Sequence, residues 1–262
     1  MLNYSVLGER ADIFLCHGIL GSGQNWRTYA NALREIRGEY GIALIDLRNH
    51  GRSPIGDAPH TIESCAQDLI DLEQELGKPK IVIGHSFGGK VALAYAQKRI
   101  PEQLWMLDSP PGTLSEKPSD QSEVLSVIST LREVPVPLEK RKDLHDFLLV
   151  HGFSQTIASW MTTNLKKGED GYVFRFSIPV IEELIHDYFQ YDGWPFLEHP
   201  PENCDIRIVK GQKSDRWTDV SLEKLQEIQR DSVTVHILPR AGHWVHVDNP
   251  KGLCSLMERF II

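Results

Sequence analysis

Short, continuous apolar runs recur along this chain, and they constrain its fold more than any other feature. IFLC (13–16), IALID (42–46), KIVIG (80–84) and LWMLD (104–108) lack the polar alternation of half-exposed strands. Such runs read as strands buried on both faces, in a parallel sheet covered by helices. Helical patterns over 26–37, 62–76 and 88–99 separate them, and Pro101 stops the third. Strand, helix, strand, helix is the order of a doubly wound α/β sheet.

After Asp108 the rhythm changes. Ser109-Pro110-Pro111-Gly112 breaks the chain, and helical patterns follow over 119–132, 138–151, 154–164 and 179–189, interrupted by the turn KGEDG (167–171). The strand pattern returns with IRIVKG (206–211) and VTVHIL (233–238), around a helix near 220–229, and a last helix runs from about Pro250 to the end. The expected architecture is an α/β core of residues 1–111 and 204–262 carrying a helical cap, 112–203, inserted after the strand that ends at Asp108.

A length of 262 residues accommodates one such domain with its insertion. The formal net charge of −8 is spread along the chain and no basic arm is present, which excludes nucleic acid as an expected partner. The N-terminal stretch shows no signal peptide, and no apolar run approaches the ~20 residues that span a bilayer, so no membrane association is expected. Cys16, Cys65, Cys204 and Cys254 are widely spaced and form no C-x-x-C pair. Reduced thiols in a cytoplasmic protein, a monomer or small homo-oligomer, are the expectation.

The turn GHSFGGK (84–90) has two readings. It fits G-x-x-x-x-G-K of a phosphate-cradling loop, but the next residue is Val91, which cannot supply the hydroxyl that binds Mg²⁺. It also fits G-x-S-x-G between a strand and a helix, the elbow that presents a nucleophilic serine, Ser86. On that reading Lys90 is expected to reach solvent from the first turn of the helix. A plain helix N-cap is the non-catalytic alternative for Ser86.

A serine hydroxyl needs a base, and His243, in a Gly-flanked loop after the last core strand, is placed to be one. His85 is expected to pack beside the elbow. His243 and His246 lack a third ligand, so neither metal nor cofactor is expected. Oxyanion donors are expected from the backbone N–H of Phe87, directly after the nucleophile, and of Ile19, in the loop after IFLC.

HGILGSGQNW, DLRNHGRSP (46–54), GHSFGGK, LDSPPG and AGHWVH together resemble the α/β-hydrolase superfamily, and more narrowly the YbfF-like bacterial esterases and their mitochondrial abhydrolase relatives. The resemblance implies an α/β-hydrolase fold: a mostly parallel, doubly wound sheet of about seven to eight strands, a helical cap and a Ser–Asp–His triad. The short N-terminus leaves room for about one strand before Ile13. Two carboxylates compete for the acid. Asp215 follows IRIVKG, the commoner location in the superfamily, whereas Asp108 matches the segment that carries the acid in the narrower group. The resemblance therefore selects Asp108 and keeps Asp215 as the alternative.

The insert is rich in aromatics, most of them expected to fill its own core. His17, Trp160, Phe189 and Trp244 are the expected pocket residues, and Arg48, Asn49 and His50 are expected near the site at a strand's C-terminal end. The expected substrate is a small carboxylic ester or thioester with a short to medium acyl group. C–C bond hydrolysis or perhydrolysis by the same triad, and a non-catalytic ligand-binding role, are the alternatives.

Overall fold

The computed structural model describes residues 1–114 and 123–261. A strand ahead of the apolar runs, β1 (Tyr4–Leu7), is followed by one strand for each run: β2 (Ile13–Cys16), β3 (Ile42–Ile45), β4 (Ile81–His85) and β5 (Gln103–Leu107). Later in the chain come the hairpin strands β6 (Leu165–Lys167) and β7 (Tyr172–Phe174), then β8 (Asp205–Gly211) and β9 (Val233–Leu238). One seven-stranded sheet runs in the order β1-β3-β2-β4-β5-β8-β9. Only β1, the strand that fits before Ile13, pairs antiparallel; it lies along β3 with Tyr4 opposite Ile45. The remaining pairs are parallel.

The continuity of the runs has a simple cause. Side chains alternate across a strand, so Ile13 and Leu15 pack on one face while Phe14 and Cys16 pack on the other. Helices α1 (Arg27–Ile36) and, at the chain end, α11 (Pro250–Phe260) cover the first face through Tyr29, Leu33, Leu253 and Met257. Helices α2 (Ile62–Leu76) and α3 (Phe87–Arg99) cover the second. The four cysteines are buried and unpaired.

Between β5 and β8 lie α4 (Glu123–Leu131), α5 (Arg141–Val150), α6 (Gln155–Thr162), the β6–β7 hairpin, α7 (Ile178–Gln190) and α8 (Trp194–Glu198). The first residues of the helix expected over 119–132 lie outside the described residues. The turn at 167–171 is the tip of a two-stranded ribbon, not a break between helices. Three residues per strand are too few to leave a period in sequence. Leu138 bridges to Tyr172, so the next helix starts at Arg141 rather than at 138.

Beyond β8 lie α9 (Asp219–Ile228) and the short α10 (Val245–Asp248), and a 3-10 turn, Gly23–Trp26, precedes α1. No helix among the described residues is long and apolar enough to cross a membrane.

Helix α3 departs from expectation. Every residue from Phe87 to Ala96 is buried, including Lys90 at 0% exposure. Lys90 does not reach solvent: α3 is sandwiched between the sheet and the insert, so its first turn has no open side. The run GGKVALAYA carries this signal, because a helix apolar all round is buried all round.

Candidate active site

Ser86 sits at the tip of β4 with φ 52° and ψ −119°, a strained conformation for a residue with a side chain. Its neighbours explain how the turn closes. A Cβ on Gly84 would meet the Gly88 carbonyl oxygen at 2.0 Å, and one on Gly88 would meet that of His17 at 2.4 Å. The Ser86 N–H donates to Leu107 O at 3.0 Å, and its carbonyl accepts from Gly89 N–H (2.8 Å) and Ser109 Oγ (2.7 Å). The backbone is held on both sides, which leaves the side chain free to project.

Asp108 ends β5 with φ 45° and is completely buried. Its Oδ1 accepts from the Gly211 N–H and Trp217 Nε1, both at 2.9 Å. Its Oδ2 accepts from Ser214 Oγ at 2.5 Å and from His243 Nδ1 at 2.8 Å. Four donors replace the water this carboxylate has lost. The acceptor at Nδ1 fixes the neutral His243 tautomer with a lone pair on Nε2. Asp215 lies elsewhere: its side chain is 84% exposed and pairs with Arg216 at 3.4 Å. Ser214 and Trp217 lie in the loop after β8, in the run KSDRW, where nothing local marks them as partners of Asp108.

His85 packs beside the elbow. Its Nε2–H donates to the His243 carbonyl at 2.8 Å, and the two rings lie 4.8 Å apart. The elbow and the histidine loop are thus joined directly. Burial, with His243 and His246 nearby, pushes the pKa of His85 well below the ordinary histidine value and keeps it neutral. His246 is pushed down to about 3, chiefly by burial, and stacks on Trp26 at 3.7 Å. Among the described residues, no group of His, Cys, Asp and Glu is arranged to hold a metal ion.

The loop after β2 is shaped by two more neutral histidines. His17 Nε2 accepts from the Leu47 N–H at 3.0 Å, and its Nδ1–H donates to Gly18 O at 2.7 Å. His50 Nε2 accepts from the Leu20 N–H at 3.0 Å, and its Nδ1–H donates to Arg48 O at 2.8 Å. Both pKa values are lowered, first by burial, His50 to about 3. With both ring nitrogens committed to backbone, His17 shapes this loop rather than offering a polar group to a pocket. The Gly21 N–H turns back to Gly18 O at 3.0 Å, Leu20 takes φ 58°, and Ile19 lies between them. Phe87 is the first residue of α3, so its N–H has no partner within the helix.

Arg48 holds Asp68 through two bonds of 2.6 and 2.9 Å and reaches the carbonyls of Asp57, Pro59 and Ser64, a scaffolding role. Asn49 instead clasps the insert: its Nδ2 donates to Ser177 O at 2.9 Å, and its Oδ1 accepts from Ser177 N–H at 2.8 Å.

Trp244 lies 5.7 Å from His243, and Trp160 of α6 meets it edge-on at 4.9 Å. Phe189 packs on Tyr188 at 5.7 Å. Tyr188 also packs on Phe87, the residue after Ser86, at 5.8 Å.

A strained serine between strand and helix, beside an Asp–His pair on neighbouring loops of a parallel sheet, defines an α/β hydrolase. The chain belongs to the alpha/beta hydrolase family, whose model matches residues 13–256. It is 28% identical to the sn-1-specific diacylglycerol lipase ABHD11 of Danio rerio over 273 residues, covering 99% of this chain and 82% of that protein. To the esterase YbfF of Escherichia coli it is 26% identical over 261 residues, covering 97% and 94% of the two chains. Among solved structures, a marine microorganism esterase superposes with a TM-score of 0.85 at 28% identity, covering 99% of both chains.

Proposed function

We propose that this protein is a serine hydrolase that cleaves carboxylic esters or thioesters of short to medium acyl groups through an acyl-enzyme on Ser86. The observation that carries the reading is the buried Asp108–His243 hydrogen bond, on a histidine loop that His85 ties to the elbow of Ser86. The named esterases and lipase among its relatives support it.

His243 Nε2 takes the proton of Ser86 as Oγ attacks the acyl carbon, and Asp108 steadies the imidazolium that forms. The N–H groups of Ile19 and Phe87 receive the charge that develops on the carbonyl oxygen. His243 then returns the proton to the leaving alcohol or thiol, and a water activated by the same base releases the acid. Residues 112–203 act as a cap, and Trp160, Phe189 and Trp244 give the acyl pocket its apolar wall.

The reading is tested by kcat/KM on p-nitrophenyl esters from acetyl to decanoyl, for wild type and Ser86→Ala. Loss of hydrolysis in the variant supports it, and the optimum chain length sizes the pocket. A folded wild type inert across the series overturns it.

A further inference from the structure

The turn after β2 is held from two sides. Gly18 stands close to the elbow: a Cβ built on it would lie 3.4 Å from Ser86 Cβ. The Gly21 N–H closes the turn on Gly18 O at 3.0 Å, with Leu20 at φ 58° and completely buried. Positive φ at the third residue alone is the mark of a type II turn, a place that favours glycine. A leucine there costs on the order of 1–2 kcal/mol, so its surroundings must hold it. His50 Nε2 accepts the Leu20 N–H at 3.0 Å, and Asn164 Nδ2 donates to the Leu20 carbonyl at 2.9 Å.

The two bonds act on different torsions. The N–H orients the peptide before the Leu20 Cα and the carbonyl the peptide after it, so together they fix φ and ψ. His50 belongs to the core, with its ring 6.3 Å from that of Phe87. Asn164 belongs to the insert, 144 residues away in sequence, just past the end of α6. It is buried, and its own backbone is tied: its N–H donates to Met161 O at 3.0 Å, and its carbonyl accepts from the Arg175 N–H at 2.8 Å. Asn49, Asp187 and Lys90 tie the insert to the loop after β3, to α2 and to α3. Asn164 ties it to the turn beside the nucleophile.

We propose that Asn164 is a positioning residue for hydrolysis: by holding the Leu20 carbonyl it keeps the strained turn in the form that presents the Ile19 N–H to the developing oxyanion. The insert then contributes to the chemistry as well as to the pocket wall. The inference rests on Ser86 as the nucleophile and Ile19 as an oxyanion donor.

Asn164→Ala on p-nitrophenyl butyrate, with propyl trifluoromethyl ketone as inhibitor, tests it. Ser86 Oγ adds to the ketone carbon, its proton passes to His243, and the oxyanion so formed occupies the hole. Asn164→Ala should lower kcat about 10-fold at unchanged KM, less than the ~10²–10³ lost when an oxyanion donor is removed outright. The Ki of the ketone should rise by the same factor. A partly unfolded sample loses kcat but keeps the Ki of its folded fraction, so the Ki carries the test. An unchanged Ki, or wild-type kcat, overturns the proposal. If Asn164→Ala does not fold, Asn164→Ser, whose hydroxyl sits one bond closer to the backbone, takes its place. Asp187→Ala releases the insert from α2 and should leave the Ki unchanged. An equal rise there would mean that displacement of the insert, rather than the bond to Leu20, disturbs the hole, and overturns the proposal. Ser86→Ala separates the two ideas. Full hydrolysis there refutes the nucleophile assignment, whereas no hydrolysis, with Asn164→Ala at wild-type Ki, refutes Asn164 alone.

Discussion

The sheet and the insert are joined to the rest of the molecule by different forces. In the sheet, each strand is held by a backbone ladder and by apolar side chains on both faces, so position is overdetermined. The insert rests on the core through partly apolar packing but is oriented by a few polar joints. Asn164 Nδ2 donates to Leu20 O at 2.9 Å, and Asn49 clasps Ser177. Asp187 Oδ2 accepts from the Ile62 N–H at the start of α2 at 2.7 Å, and Lys90 grips the end of α7. Ser86, Asp108 and His243 stand on the overdetermined side. Tyr188 and Trp160 stand on the side hung from single side chains, where one substitution can move a whole helix.

The contrast can be broken at several points, and the largest effect is expected at the rigid end. Asp108→Asn should lower kcat by ~10⁴ with little change in KM, because an amide at this position no longer selects the tautomer with Nε2 free. Steady-state kinetics on the preferred ester measures it, and near-wild-type kcat would remove Asp108 from the reaction.

Next comes the linkage of Lys90 to stability. Burial pushes its pKa from the ordinary lysine value down to about 7, with Asp192 and Asp187 acting in the opposite direction. Above pH 7 the unfolded chain then binds a proton that the native state has released, so stability rises with pH until the unfolded lysine titrates. Relative to Lys90→Met, urea unfolding of wild type should gain up to about 1.4 kcal/mol per pH unit between pH 7 and 10. A flat difference would mean that the hydrogen bonds from Lys90 Nζ to the carbonyls of Gly112, Tyr188 and Tyr191 outweigh burial and keep the ammonium charged.

A smaller effect is expected at the Asn49 clasp. Asn49→Ala removes two hydrogen bonds at the N-cap of α7 and should cost about 1–3 kcal/mol. It should raise KM more than it lowers kcat, since it frees the insert and leaves the proposed catalytic residues Ser86, Asp108 and His243 in place. Equal losses in both constants would mean that the clasp supports the sheet side instead. Smallest of all, Asp215→Asn should change kcat/KM less than about two-fold, as expected of an exposed surface carboxylate. A large loss would reassign the acid.

Much of this molecule was legible in its sequence, for identifiable reasons. The strands announce themselves because a strand packed on both faces carries few polar residues, and the helix over 62–76 is capped by Thr61, whose hydroxyl accepts from Ser64 N–H. The tight turn at Ser86 was legible because only small neighbours permit it, and the loop of His243 because it follows the last strand with glycine beside it. Those are local demands, satisfied within a few residues of the chain.

What the tertiary structure alone decided depends on residues far apart in sequence. Spacing alone does not separate Asp108 from Asp215, and only the resemblance favours the first; the fold delivers Gly211, Ser214, Trp217 and His243 to that carboxylate and leaves the other in water. Lys90 looks like any surface lysine until α7, about a hundred residues later, lies across it. Burial and hydrogen-bond partners are properties of the assembled chain, and where they set the role of a side chain, sequence pattern carries only a hint of it.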